Sequence, residues 1–208
     1  MHPTPLVTSA VTLALAMSAL AASPRAARAG DDAARASLWV GGSVDLLPLG
    51  SLRVATSRGG TQSVDTETAV GIGGLIEVAT RAHVSAGLAP RLVLGLRTPG
   101  DTSSSTQLDL RGRIAVGTDV ASAVGVYGVV APGYSFIFPA SPWPATVTRP
   151  RGFILDLGGG VVYRVAPRLA LTAEVGYQLG FHHVGDGTVS VTFADDLLHL
   201  GIGVLAAL

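Results

Sequence analysis

The side chains best equipped for chemistry stand near the C-terminal end of the chain. His182-His183, followed by Asp186 and later by His199, offer imidazole and carboxylate groups, donors that suit zinc. Their spacing argues against a shared ion. In an extended chain successive side chains point to opposite faces, so His182 and His183 enter different surroundings. No metal site is expected. Gly133-Tyr134-Ser135-Phe136-Ile137 places a serine after a glycine but lacks the closing glycine of a nucleophile elbow. Gly158-Gly159-Gly160 has no helix after it, so it reads as close backbone approach within a strand and not as a phosphate loop. No nucleophile, base and orienting group come together, and no catalytic residue or cofactor is expected. What remains is a set of charges. Asp109, Arg111 and Arg113 alternate along one segment, and Asp45, Glu77, Arg91, Asp156 and Glu174 occupy equivalent positions in others.

Composition narrows what could position them. The chain has 208 residues, enough for one domain, with 14 basic and 14 acidic residues and a formal net charge of +0. Every basic residue is Arg, and no clustered basic face suggests nucleic acid as a partner. There is no Cys, which excludes disulfides, thiolate metal sites and a lipidated N-terminal cysteine. Only 13% of residues are charged and 27 are Gly. An apolar, glycine-rich chain broken into short segments points to strands rather than helices.

The N-terminus is the exception. Leu6 to Ala22 is a run of small and apolar residues, and Ala27-Arg28-Ala29 follows as a small-x-small cleavage site. Residues 1–29 are therefore expected to be a signal peptide for export, residues 30–36 a short extension, and residues 37–208 a single β-barrel domain. The segment before the apolar run carries no Arg, which departs from the usual pattern.

From Ser37 onward, apolar residues recur with period two. Leu169, Leu171, Ala173, Val175, Tyr177 and Leu179 share one face, while Ala170, Thr172, Glu174, Gly176, Gln178 and Gly180 share the other. Leu198, Leu200, Ile202, Val204, Ala206 and Leu208 do the same at the end of the chain. Further strands are expected near Ser37–Leu47, Thr68–Thr80, Val84–Arg97, Gln107–Thr118, Ala123–Phe136 and Gly152–Arg164. Tilted strands of roughly 9–11 residues are what a bilayer core requires. Long connections (Pro48–Glu67, Ile137–Arg151, His182–Asp196) and an intermediate one (Thr98–Thr106) alternate with short ones (Arg81–His83, Asp119–Ser122, Val165–Arg168), as extracellular loops alternate with periplasmic turns in outer-membrane barrels. Centring each hairpin on its connection pairs Leu38 with Val78, Leu96 with Leu108, Thr118 with Val124, Ser135 with Gly152, Tyr163 with Leu169, and Leu169 with Leu208. The turn between the second and third strands is placed at Ala82, with a bulge at Pro90, since proline removes a ladder hydrogen bond.

The expected fold is all-β: an eight-stranded antiparallel up-and-down transmembrane β-barrel after an N-terminal signal peptide. The apolar parity then faces lipid. The opposite parity fills the lumen with a charge network of Asp45, Glu77, Arg91, Asp109, Arg111, Arg113, Asp156 and Glu174, beside Gln178 and His199. Tyr134, Phe136, Phe138, Phe153, Tyr177 and Phe181 lie toward the long connections as an interfacial girdle, with Tyr163 near the other rim.

On these features the chain resembles the small outer-membrane β-barrel proteins, and is similar to the OmpA and OmpX transmembrane domains. The features are the signal peptide, the strand count, the loop alternation, the Ala166-Pro167-Arg168 turn before Leu169-Ala170-Leu171, and the membrane-type last strand. It departs from them in ending on Leu208 instead of an aromatic residue. The resemblance implies the outer membrane as location, with outer-membrane lipid and the assembly machinery as partners. It implies a structural or surface-interaction barrel whose loops carry recognition, Trp143 being the candidate contact. Two alternatives are a narrow solute or ion conductor through the polar lumen and, more weakly, a lipid-modifying enzyme. Deacylases of similar shape would require His and Ser two residues apart on an outward strand, and His182-His183-Val184-Gly185 supplies no such serine. The extracellular ligand is not specified by any motif.

Overall fold

A computed structural model describes residues 37–56, 60–79, 83–97, 103–121, 123–138, 149–185 and 190–208. The expected signal peptide and extension, the Ala82 turn, Asp186 and Trp143 lie outside the described residues.

The described chain forms ten strands: β1 (Ser37–Thr56), β2 (Thr61–Asp65), β3 (Ala69–Ala79), β4 (Val84–Leu88), β5 (Arg91–Leu96), β6 (Ser105–Ala121), β7 (Val124–Phe138), β8 (Arg151–Ala166), β9 (Leu169–Gly185) and β10 (Ser190–Ala207). They make eight staves. β2 and β3 both pair with β1 in one continuous register, and β4 and β5 both bridge β3 and β6. Every pairing is antiparallel between chain neighbours, save the one that closes the ring, where β1 pairs with β10 from Trp39↔Ala207 to Thr56↔Val191. The fold is an eight-stranded up-and-down β-barrel.

The pairing corrects several sequence expectations. Leu38↔Val78 and Ser135↔Gly152 pair as expected. Thr118 pairs with Val126, Tyr163 with Leu171 and Leu169 with Ala206, each two residues from the expected partner. Leu108 pairs with Leu92 instead of Leu96, and the β5–β6 register then shifts by one residue between Val93 and Leu96, where Gly95 has a φ of 81°. Ile76↔Leu88 on one side of Pro90 and Gly73↔Arg91 on the other keep one register, centred on position 82. No bulge therefore forms at Pro90. The strand is interrupted at Ala89-Pro90 without an inserted residue, and the Pro90 carbonyl still accepts from the Gly74 N–H at 2.9 Å.

Two of the long connections are mostly wall. β1 continues through Pro48, past a register shift between Leu46 and Leu49, to Thr56, and β9 and β10 stay paired out to Gly185↔Ser190. The barrel thus extends further at the end of the long connections than the sequence pattern implied.

Its polarity is inverted relative to a soluble protein. The outer surface exposes Leu46, Ile76, Leu88, Leu110, Val116, Leu157, Val175 and Ile202, whereas Asp45, Arg91, Asp109, Asp156 and His199 are buried. Outward strand residues run from aliphatic to aromatic toward the rim, where Tyr134, Phe153 and Phe181 are cross-strand neighbours. This is the polarity of a transmembrane barrel, whose backbone groups are satisfied between strands and whose side chains meet lipid outside. A ring closed in this way should migrate as a folded species in SDS at room temperature and shift on boiling. Identical mobility of the two samples, with a helical circular-dichroism spectrum, would overturn the architecture.

Candidate functional site

The lumen is where the structure gathers its charged side chains. Inward parity brings together all eight residues named from the sequence, and they form two connected groups.

The first group is centred on Arg91, which is 1% exposed. Its Nη2 donates to Asp109 Oδ2 at 2.9 Å and to Gln178 Oε1, and its Nε donates to Asp109 Oδ2 at 3.2 Å. Its Nη1 lies 3.8 Å from both Asp45 and Asp156. These partners sit on β6, β9, β1 and β8, so one guanidinium reaches across the barrel from β5. Arg111 Nη1 donates to Asp156 Oδ2 at 2.6 Å, and its Nε donates to the Ala89 carbonyl at 3.0 Å. That carbonyl is at the strand interruption beside Pro90. His199 Nε2 lies 2.9 Å from the other Asp156 oxygen, and Gln107 Nε2 donates to Asp109 Oδ1 at 2.8 Å. Charge-assisted bonds with several donors per carboxylate are the condition under which buried charges persist. Gly176 leaves the room for His199, since a Cβ there would collide with the imidazole.

The second group lies nearer the short turns. Arg113 donates to Glu77 Oε2 at 2.7 Å and to Glu174 Oε2 at 2.9 Å, again from opposite walls. Tyr127 donates its hydroxyl to Glu174 at 3.0 Å, and its ring centroid lies 5.3 Å from the Arg113 guanidinium carbon. Gly160 makes this possible, because a Cβ there would approach the Tyr127 hydroxyl to 2.7 Å.

The two ends of the lumen differ. Toward the long connections an apolar cluster of Leu47, Ala69, Val93 and Leu197, with Leu96 against it, packs beside the Arg91 group. Toward the short turns a cavity of about 230 Å³ remains, lined by Trp39, Ser43, Glu77, Arg113, Tyr127 and Glu174 among others. The lumen is therefore closed by side chains over part of its length, and the expectation of a barrel filled throughout is corrected at the short-turn end.

His182 is buried and His183 exposed, so the adjacent histidines do point apart. Among the described residues no cluster of three metal-binding side chains occurs. His182 instead has a neighbour that sequence reasoning missed. Its Nδ1 lies 2.8 Å from Asp195 Oδ1, a close contact whose angle falls outside hydrogen-bond geometry. Gln107, Tyr127, Ser135 and Asp195 were also missed. Gln107 and Asp195 share the inward parity of Asp109 and His199 on their own strands, and Tyr127 and Ser135 take the parity opposite to the outward Tyr134 and Phe136, which is the signal that could have found them. Ser135 is fully buried within the wall.

No family model and no curated protein matches the sequence. Among solved structures, the chain is similar to Neisserial surface protein A, with 14% identity over 81% of this chain and 96% of that one and a TM-score of 0.47. It is similar to the outer membrane protein OprG from Pseudomonas aeruginosa, with 14% identity over 84% and 97% and a TM-score of 0.47. It is also similar to Ail, the attachment invasion locus protein of Yersinia pestis, with 11% identity over 79% and 97% and a TM-score of 0.37.

Proposed function

We propose that this chain is an outer-membrane barrel whose lumen is plugged by ion pairs and whose role is structural or interactive, exercised at the end that carries the long connections. The observation that carries the reading is Arg91, a single buried side chain that contacts carboxylates or an amide from four other strands across the interior. A solute path through this level would have to break several charge-assisted bonds at once. The apolar cluster of Leu47, Val93 and Leu197 adds a dry layer beside it. The cavity at the short-turn end is then a vestibule that stops at the plug.

A planar bilayer separates this reading from a narrow conductor. Reconstituted protein should give no steady conductance over a range of voltages. Sustained open-channel currents, scaling with salt, would favour conduction and defeat the plug.

A further inference from the structure

The cationic side chains at the rim near the long connections are unequally provided with partners. Arg97 is paired with Glu67. Arg53 stands on β1 next along its face from Ser51, which donates to Asp196. Arg149 and Arg151 have no acidic partner among the described residues, and the stretch 139–148 that precedes them contains no acidic residue at all. Both are exposed on the outer face of the barrel.

Their surroundings are built for something both charged and apolar. The Arg149 guanidinium lies 5.4 Å from the Phe138 ring centroid. Arg151 pairs with Phe136 on β7 and with His183 on β9, whose side chain is also exposed. Phe136, Ile137, Phe138, Arg149 and Arg151 together line a shallow groove. Directly below, the same face of β8 continues through Phe153 and Leu155 to Leu157, with Tyr134 and Phe181 flanking Phe153. The order along this column is two arginines, one aromatic, then aliphatics. It matches the order met along a membrane lipid from headgroup to chain.

We propose that this groove is a binding site for the phosphate-bearing headgroup of an outward-leaflet lipid, with the lipid's chain lying along Phe153 and Leu157. The inference rests on the membrane reading of the barrel. Guanidinium groups take phosphate oxygens through paired N–H donors, and Arg suits this better than Lys because its donors form a planar fork. At the edge of a low-dielectric layer such a pair is screened less than in water. A free anion would gain the charge contacts alone, whereas a lipid also gains the apolar contact below, so the geometry favours the lipid.

The test uses the folded barrel in neutral detergent, titrated with short-chain phosphatidic acid, with the matching diacylglycerol, and with inorganic phosphate. Bound lipid is read by native mass spectrometry. The parent should retain phosphatidic acid about tenfold better than diacylglycerol, the advantage expected of a few charge-assisted bonds. Arg149→Ala with Arg151→Ala should abolish the difference, and Arg168→Ala in a short turn at the opposite rim should leave it intact. Folding of every variant is verified by heat-dependent gel mobility. Equal retention by the folded double variant would overturn the proposal, as would inorganic phosphate competing as strongly as the lipid. Failure of the parent to insert into vesicles would be a separate result, against the membrane reading itself.

Discussion

Arg91→Ala is expected to destabilise the barrel by about 3–5 kcal/mol, the usual cost of removing one partner from a buried charge group. The substitution leaves Asp109, fully buried, with Gln107 as its remaining side-chain donor. It also removes the nearest cation from Asp45 and takes one of two guanidinium groups from Asp156. These carboxylates must then be protonated or hydrated in place. The measurement is the urea midpoint of refolding into lipid vesicles. Arg91→Lys should recover only part of the loss, because an ammonium cannot serve Asp109 and Gln178 with the same fixed fork. Arg113→Ala should cost less, since Glu77 and Glu174 border the cavity and water can replace the lost donors. A variant at Arg91 as stable as its parent would show that the ion pairs do not hold the lumen closed.

Ile202→Arg is the second large effect expected, and it bears on the outside of the wall. Ile202 is 70% exposed, so in a water-soluble protein the change would fall within about ±0.5 kcal/mol. On a lipid face it should cost about 2–4 kcal/mol near the bilayer midplane. Ile202 stands midway between Asp196, which accepts from Ser51 and Tyr177 at the outer boundary, and Leu208 at the inner one. Folding into vesicles should weaken accordingly. A neutral Ile202→Arg would mean that this surface does not meet lipid.

The side of the wall on which each residue falls was legible because β9 and β10 alternate with little interruption, as Ala170 through Val184 illustrate. The height at which strands meet was less so. Thr118, Tyr163 and Leu169 each find a partner two residues from the expected one, and Leu108 one four residues away. At these four positions the error is even, so their side chains keep the expected face; only past the shift beside Gly95, where Leu96 meets Ser105 instead of Leu108, is it odd. That is why the eight lumen residues come together although four of the seven hairpin registers were misplaced.

The extended hairpins went unread for a related reason. Between Ser51 and Asp65 the chain passes beyond the lipid belt, and the exposed β2 segment Thr61–Asp65 has no buried face to impose a pattern. The bulge expected at Pro90 failed because a proline can interrupt a ladder without inserting a residue, its carbonyl still bonding to Gly74. The cavity was invisible because alternation reports direction and not volume. Its walls are set by where Gly and Ala stand opposite one another, which depends on the vertical registers that the pattern leaves open.

The seam between β1 and β10 carries a kinetic consequence. Its first pair, Trp39↔Ala207, joins positions separated by nearly the whole chain. Contacts of such long sequence separation demand that chain entropy be surrendered before any reward arrives, and they make folding slow. Until that zipper closes, the first and last strands each present a free edge, and in a bilayer an unpaired edge is intolerable. A sheet with fewer strands is therefore disfavoured wherever its edge meets lipid, which couples insertion to closure of this seam.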